Sequence, residues 1–330
     1  MKKIFALLLS AALLVTLLAA CGGGTTTDTD TDTQEPATDA STTQVEEQEP
    51  DTGDASKDDP LNQDEIGEKE LLVVSFGTSY NDSRRETIGA IEKAMQTAFP
   101  DYSVRRAFTS QIIIDHVKDR DGVTIDNVEQ ALERAVNNGV KTLVVQPTPL
   151  MNGLEYEELT DELAKYSDSF EKIAIGDPLL TSDADFEAVM TAITDATKDA
   201  ADGKTAICFM GHGTTADSNS VYSKMQTLLT DKGFNDYYVG TVEATPSLDD
   251  VLAAVQKGNY EKVILRPLMI VAGDHANNDM AGDEDDSWKS TFEKAGYTVD
   301  CQVEGLGQLE AIQQLFVEHA KAAVASAEAE

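Results

Sequence analysis

From about residue 69 onward, short apolar runs typical of β-strands alternate strictly with patterns typical of amphipathic helices. Strict alternation predicts βαβ units, in which parallel strands form a sheet and helices cover both faces. Several runs are continuously apolar, as is typical of parallel strands that are buried on both faces. The predicted fold class is therefore α/β. The predicted strands are 71–75, 103–108, 142–146, 172–175, 205–210, 237–242, 262–266 and 298–303, and the predicted helices are 83–98, 125–137, 155–165, 184–198, 221–232, 247–256, 287–295 and 308–323.

The same order of motifs occurs twice along the chain. The similar segments are 72–78 (LVVSFGT) with 207–214 (ICFMGHGT), 140–147 (VKTLVVQP) with 260–267 (YEKVILRP), and 152–155 (NGLE) with 272–275 (AGDH). A duplicated α/β unit explains this repeat. We therefore predict two similar doubly wound parallel-sheet halves, 69–200 and 201–330, that face each other across a cleft. Ligands of such sheets bind outside the carboxyl ends of the strands.

The N-terminus has the pattern of an export signal. Two lysines precede a short apolar run over residues 4–20, which predicts a signal peptide over residues 1–20. The segment 18–21 (LAAC) resembles the bacterial lipobox, and this resemblance implies that Cys21 becomes the first residue and carries lipid. Two or more acyl chains anchor a protein stably, since each buried CH₂ contributes about 0.8 kcal/mol. We predict an extracytoplasmic, membrane-anchored lipoprotein; an ordinary signal peptide and an uncleaved anchor are the alternatives.

Residues 22–66 carry fourteen acidic side chains against one base, Lys57, for a net charge of −13. Such a segment has too few apolar side chains to offset the entropy of ordering. We predict that residues 21–68 form a disordered acidic tether, extended by self-repulsion. The rest of the chain carries the remaining −22 of the formal −35. This charge argues against a nucleic-acid partner.

Two of the four histidines follow apolar predicted strands directly. His212 and His275 are each next to glycine or one residue from it, at the carboxyl ends of their strands, where rigid sheets position functional loops. Glu243 ends a third strand pattern. A set of two histidines and one glutamate suits a borderline divalent ion such as Co²⁺, Fe²⁺, Ni²⁺ or Zn²⁺. Judged on the residues alone, structural histidines and a helix-capping glutamate remain open. His116 and His319 lie in predicted helices, where structural roles are favoured.

The glycine-rich segments do not match nucleotide-binding motifs. Residues 75–79 (SFGTS) lack the spacing and the lysine of a P-loop, and no G-x-G-x-x-G follows a predicted strand. The sequence also lacks the G-x-S-x-G segment of a nucleophile elbow. We therefore predict no nucleotide and no tightly bound cofactor, and we find no support for a serine hydrolase.

These motifs resemble the class II tetrapyrrole chelatases, and specifically the anaerobic sirohydrochlorin cobalt chelatases. The resemblance covers essentially all of residues 69–322. The matching stretches are 72–80, 106–110, 152–157, 209–213, 242–243 and 267–289. The resemblance implies two α/β halves around a tetrapyrrole cleft. It also implies a lyase that inserts Co²⁺ as its substrate metal, with Fe²⁺ or Ni²⁺ as alternatives.

The resemblance also implies roles for individual residues. It implies that His212, Glu243 and His275 ligate the metal and that His212 accepts a proton from a pyrrole nitrogen. Glu155 matches a family glutamate in the cleft that assists proton removal or metal delivery. The residues predicted to bind substrate are Ser75, Gly77, Thr78 and Arg106, and further candidates for its carboxylates are Arg84, Arg85 and Arg266.

We therefore predict a sirohydrochlorin cobaltochelatase, as in anaerobic cobalamin biosynthesis. Its expected partners are a tetrapyrrole, a divalent metal and the membrane through lipid on Cys21; a homo-oligomer is left open. The main alternative is a non-catalytic surface lipoprotein that binds haem, another tetrapyrrole or metal. A solute-binding lipoprotein of a transporter is a third interpretation, which the histidine motifs do not favour.

Overall fold

The computed structural model describes residues 51–329, in which strands and helices alternate from Lys69 onward. The strands are β1 (Lys69–Ser75), β2 (Ser103–Phe108), β3 (Thr142–Pro147), β4 (Lys172–Ile175), β5 (Thr205–Gly211), β6 (Tyr237–Thr241), β7 (Lys262–Pro267) and β8 (Thr298–Cys301). The helices are α1 (Asn81–Glu86), α2 (Ile88–Ala98), α3 (Gln111–Asp121), α4 (Val128–Asn137), α5 (Leu154–Ala164), α6 (Asp183–Thr197), α7 (Ser220–Asp231), α8 (Leu248–Val255), α9 (Trp288–Lys294) and α10 (Glu310–Ala329).

The strands form two four-stranded sheets, with the orders β2-β1-β3-β4 and β6-β5-β7-β8. Every strand pair in both sheets is parallel. The predicted α/β class with two parallel sheets is confirmed. In each sheet the strand order reverses direction between the two central strands, which are β1 and β3 in the first and β5 and β7 in the second. Ligands of open α/β sheets bind at such a switch point, beyond the carboxyl ends of the strands.

Strand β1 shows why its sequence is continuously apolar. Leu71 and Val73 point into one buried cluster, and Leu72 and Val74 point into another on the opposite face. Alternate residues of a strand face opposite sides, so a strand covered on both sides needs apolar residues at every position. Burying each such side chain contributes about 1.5–3 kcal/mol.

Helix α10 is last in the sequence but packs against the first sheet. Its residues Ala323 and Ala327 form a buried cluster with Val144 of β3, and the helix also contacts α2 and α6. The small alanine side chains allow the helix to lie close to the strand. The predicted division into halves at residue 200 does not account for this crossing of the C-terminal helix.

The prediction of a disordered tether up to residue 68 is wrong for residues 51–68. This segment contains a short 3₁₀ helix (Ala55–Lys57) and buries Leu61 in the core. The side chain of Asp58 is only 4% exposed and pairs with Arg84. The acidic composition hid this role, because a buried guanidinium needs a carboxylate partner that the sequence does not identify.

The predicted signal peptide, the lipidated Cys21 and the tether up to residue 50 lie outside the described residues. Within residues 51–329, no helix combines the length and the apolar character that are needed to cross a bilayer.

Candidate metal centre

Three neighbouring strands end in side chains that can bind a metal. His212 follows β5, Glu243 follows shortly after β6, and His275 lies in the segment after β7. These strands are adjacent in the second sheet, so their carboxyl ends meet at one edge. One potential ligand atom from each residue lies within 4.8 Å of those of the other two. The structure thus brings together the three residues that the sequence predicted as ligands.

The cluster is open to solvent. The imidazole centroids of His212 and His275 are 4.7 Å apart with their planes at 81°. Glu243 Oε2 lies 4.0 Å from His212 Nδ1, and these side chains are 57% and 48% exposed. The His275 side chain is 34% exposed. A site with three protein ligands and open access leaves coordination positions for an exchanging partner.

Each of the two imidazoles is held by a hydrogen bond at its Nδ1. His212 Nδ1 lies 2.7 Å from the carbonyl oxygen of Gly213, and His275 Nδ1 lies 2.7 Å from Asp279 Oδ2. A carbonyl oxygen and a carboxylate both accept, so each Nδ1 carries the proton and donates it. The lone pair of each neutral ring then lies on Nε2. Such hydrogen bonds fix the tautomer and orientation of metal-binding histidines.

Glycines on both sides of His212 allow its position. A Cβ atom on Gly211 would meet the ring of Tyr222 at 2.1 Å. Gly213 has φ of +90°, and a Cβ atom there would lie 2.9 Å from the backbone nitrogen of Ala244. Larger residues at either place would therefore displace the loop that presents the imidazole.

His275 immediately precedes a π-helical turn (Ala276–Met280). Such turns are rare and occur often at functional sites. Asp279 lies within this turn and is four residues after His275, which brings its carboxylate against the imidazole. Asp279 is not among the residues predicted from the sequence, although its spacing of four from His275 on a helical pattern could have indicated the contact.

Glu155 approaches the cluster from the first sheet. It is the second residue of α5, which follows β3 and begins after Gly153. Burial raises the pKa of Glu155 above its usual value, and the charge of the nearby His212 lowers it in part. A carboxyl group with a raised pKa exchanges protons closer to neutral pH than an ordinary one.

The loop after β1 reaches the edge of the cluster, but its predicted substrate-binding side chains are buried. Ser75 Oγ accepts a hydrogen bond from Thr148 Oγ1 at 2.7 Å. Thr78 Oγ1 accepts one from the Tyr80 backbone and would lie 3.1 Å from a Cβ atom on Gly273. In this conformation the hydroxyl groups of Ser75 and Thr78 are engaged within the protein. Gly77, between them, has φ of +101° and shapes the loop.

The prediction that Arg106 binds substrate carboxylates is wrong. Arg106 is buried and donates to Glu92 at 2.7 Å and to Asp58 at 2.7 and 3.0 Å. Arg84 and Arg266 are also buried, and Arg266 donates to Gln302 and Glu304. These guanidinium groups stabilise the fold, and their donors are occupied by carboxylates, amides and carbonyls of the protein.

The other two histidines lie away from the cluster. His116 is exposed on α3, where its Nε2 is 3.5 Å from Arg120 Nη1. His319 on α10 contacts the Asp177 carbonyl and the Asp185 carboxylate, each at 3.1 Å. The structural roles that the sequence favoured agree with these contacts.

We expect Asp279→Ala to weaken binding of Co²⁺, used as a probe, about 10- to 100-fold, because the imidazole of His275 loses the group that orients it. Isothermal titration calorimetry measures this affinity. The matched control is Asp283→Ala, which removes a 92% exposed carboxylate paired with Lys289 in the same segment. Equal Co²⁺ affinity in the two variants would show that Asp279 does not position the ligand.

Comparisons with known proteins agree with this geometry. The family model for cobalt chelatase (CbiK) matches residues 69–325, a range that includes all three clustered residues. The sirohydrochlorin cobaltochelatase of Salmonella typhimurium (strain LT2) is 38% identical over 251 residues, which are 76% of this chain and 94% of that protein. The sirohydrochlorin cobaltochelatase CbiKC of Nitratidesulfovibrio vulgaris (strain Hildenborough) is 30% identical over 260 residues, which are 78% of this chain and 91% of that protein.

A solved structure shares the fold. SirB from Bacillus subtilis with Fe³⁺ aligns with a TM-score of 0.56 at 15% identity, covering 80% of this chain and 98% of that one. At this level of identity, the similarity shows the fold.

Proposed function

The chain belongs to the cobalt chelatase (CbiK) family, and we propose that it works as a sirohydrochlorin cobaltochelatase whose substrate metal is held by His212, Glu243 and His275. The observation that carries this proposal is the convergence of the three ligand atoms within 4.8 Å at the switch point of the second sheet. The similarity to a sirohydrochlorin cobaltochelatase over 94% of that protein supports the substrate.

Insertion exchanges one metal ion for two protons. The two pyrrole N–H groups must lose their protons while Co²⁺ leaves the protein and bonds to the four ring nitrogens. His212 Nε2 holds Co²⁺ first and becomes free when the metal moves to the macrocycle. The same nitrogen then accepts a pyrrole proton, because Nδ1 already donates to Gly213. A ligand that becomes a base at the moment of transfer keeps the charge of the site nearly constant.

The second pyrrole proton goes to the carboxylate of Glu155, which lies near His212. Glu155 lies within electrostatic reach of His212 and has a pKa raised by burial, so it accepts a proton more readily than an exposed glutamate. Glu243, 4.0 Å from His212, stabilises the imidazolium that forms. Both protons then leave through the open face of the site.

The ligand set does not by itself select cobalt. Nitrogen and oxygen ligands bind divalent ions in the Irving–Williams order, in which Ni²⁺ and Cu²⁺ bind more tightly than Co²⁺. The assignment of Co²⁺ therefore draws on the family, and Fe²⁺ and Ni²⁺ remain alternative substrates for the same geometry. Metal supply, rather than affinity, then determines which ion is inserted.

The test is anaerobic incubation of the protein with sirohydrochlorin and Co²⁺, followed by absorption spectroscopy. The proposal expects conversion to the cobalt tetrapyrrole over many equivalents per protein, faster than in a protein-free control. A change limited to one equivalent would instead favour a carrier that binds tetrapyrrole without turnover. No protein-dependent change would contradict both functions.

We further propose that this chelatase works outside the cytoplasm, anchored by lipid on Cys21. The proposal rests on the apolar run over residues 4–20 and the LAAC segment that ends at Cys21. Mass spectrometry of the N-terminal peptide from the native membrane fraction tests it. A mature chain that starts elsewhere, or an unmodified Cys21, would contradict the anchor but not the chelatase activity.

A further inference from the structure

The two sheets correspond residue by residue. The central strands β1 and β3 pair in the same register as β5 and β7. In both sheets, the first residue after the second central strand donates its backbone N–H to a carbonyl of the first. The paired residues are Lys69 with Thr142 and Thr205 with Lys262. The bonds run from Thr148 N to Val74 O at 2.8 Å and from Leu268 N to Met210 O at 2.7 Å. Each loop position after the strands of one sheet therefore has a counterpart in the other.

Phe76 is the counterpart of His212. Each is the first residue after its strand, and each is followed by a glycine with positive φ, which is +101° at Gly77 and +90° at Gly213. The position that presents a metal-binding imidazole in the second half thus presents a phenyl ring in the first.

The other two ligand positions also correspond. The Phe76 carbonyl accepts from Ser110 N at 3.3 Å, as the His212 carbonyl accepts from Glu243 N at 2.9 Å. Ser110 therefore takes the place of Glu243. Glu155 takes the place of His275, since each lies eight residues beyond the proline that ends β3 or β7. The first half keeps one strong ligand of three, so its equivalent site is not a metal site.

Exposed apolar side chains concentrate at this edge. Of the four large apolar side chains that are most exposed within residues 51–329, three lie between the end of β1, β2 or β3 and the first turn of the helix that follows. These are Phe76 at 50%, Ile112 at 83% and Leu154 at 60%, and the fourth is Val136 at 40% on α4. Single exposed apolar residues need no explanation, but a group beside a ligand site indicates a binding surface.

The loops that carry Phe76 and Leu154 face the histidine loops. Thr78, two residues after Phe76, lies against Gly273, with 3.1 Å from its Oγ1 to a Cβ atom placed there. Gly153, next to Leu154, lies against Ser218 in the loop after β5. A Cβ atom placed on Gly153 would be 3.2 Å from Ser218 Oγ. These two loop contacts bring the apolar edge of the first sheet next to the edge of the second sheet that carries the metal cluster.

Resting on the proposed function, we propose that Phe76 and Leu154 form an apolar platform that contacts one face of the tetrapyrrole, opposite the metal cluster. A conjugated macrocycle presents two flat apolar faces, and aromatic side chains stack on such faces. The carboxylates of sirohydrochlorin lie at its periphery, and three of the four arginines considered for them, Arg84, Arg106 and Arg266, are buried in internal pairs. Contact with the flat face then supplies much of the affinity.

The test is titration of the full-length protein with metal-free sirohydrochlorin under anaerobic conditions. We expect Phe76→Ala and Leu154→Ala each to raise the Kd for the tetrapyrrole roughly tenfold, and Phe76→Trp to retain affinity. The affinity for Co²⁺ without tetrapyrrole should be unchanged, because neither residue is a ligand. The matched control is Val136→Ala, which removes an exposed apolar side chain on α4, outside the loops that carry Phe76 and Leu154.

The outcomes separate this inference from the function on which it rests. If Phe76→Ala and Leu154→Ala bind sirohydrochlorin as Val136→Ala does, while the wild-type protein inserts cobalt, the platform is refuted and the chelatase stands. If the wild-type protein binds no tetrapyrrole, both are refuted. A weaker Co²⁺ affinity in Phe76→Ala would also contradict the platform, since the substitution would then act through the metal cluster.

Discussion

Replacement of His212 by alanine is expected to lower the rate of cobalt insertion into sirohydrochlorin by about 10²- to 10⁴-fold. The substitution removes one of three metal ligands and the proposed acceptor of a pyrrole proton. Loss of a positioned general base alone typically costs this much. We expect kcat to fall and the apparent KM for Co²⁺ to rise, because His212 acts both before and during the transfer of the metal.

His275→Ala is the informative comparison. His275 belongs to the same cluster but is proposed only to hold the metal. Saturating Co²⁺ should therefore restore much of the insertion rate in His275→Ala but not in His212→Ala. His116→Ala, which removes an exposed imidazole from α3, controls for nonspecific loss of a histidine. Insertion by His212→Ala at the rate of His116→Ala would refute the mechanism.

The fold could be predicted from the sequence because the pattern of apolar residues along each strand and helix indicates which side chains are buried. The predicted strand 71–75 corresponds to β1, but the strand begins earlier, at Lys69. The prediction missed Glu70, which is fully buried within β1 and pairs with Arg105 of β2. A charged residue inside a strand looks like a boundary until its partner on the neighbouring strand is known.

The metal cluster was predictable for the same reason. Parallel strands deliver whatever follows them to one edge, so His212, Glu243 and His275 had to meet once their strands proved adjacent. The exposure of Phe76 was not predictable in this way, since an aromatic residue after an apolar run looks like more core. The repeat pairs Phe76-Gly77-Thr78 with His212-Gly213-Thr214, and the equivalence of the two sheets shows that Phe76 occupies a ligand position.

Arg106 shows the opposite limit. An arginine at a strand end of an acidic protein looked like a carboxylate receptor, but its partners are Glu92 on α2 and Asp58. Asp58 comes from a segment whose composition predicted disorder. Neither partner can be identified from spacing, because both contacts depend on how distant segments pack.

The buried ion pairs that Asp58 and Glu92 make with Arg84 and Arg106 lead to a large predicted effect on stability. Asp58→Asn leaves Arg84 and Arg106 buried with Glu92 as their only remaining carboxylate, a net buried charge of +1. Removing one partner of a buried ion pair costs about 3–5 kcal/mol in the free energy of unfolding, because the other charge stays buried and unpaired. Urea denaturation near pH 7, followed by circular dichroism, measures this change.

The pH dependence of the same difference identifies its cause. Burial alone raises the pKa of Asp58, but the hydrogen bonds and charges of Arg106 and Arg84 outweigh it and hold the pKa below the ordinary value of 3.8. A carboxyl group with a lowered pKa stabilises the folded state above its unfolded pKa and loses this effect as the pH falls through the folded one. The gap between wild type and Asp58→Asn should therefore be full near pH 7 and shrink below about pH 4.

Two further variants test whether buried charge, rather than the loss of any acidic residue here, causes the instability. Asp54→Asn removes a half-exposed carboxylate 3.7 Å from Lys57 and retains a side chain that can cap the 3₁₀ helix, so it should change stability far less than Asp58→Asn does. Arg84→Met combined with Asp58→Asn restores neutrality, leaving Arg106 with Glu92, and should recover part of the loss. If Asp58→Asn unfolds at the same urea concentration as Asp54→Asn, Asp58 does not anchor residues 51–68 to the first sheet.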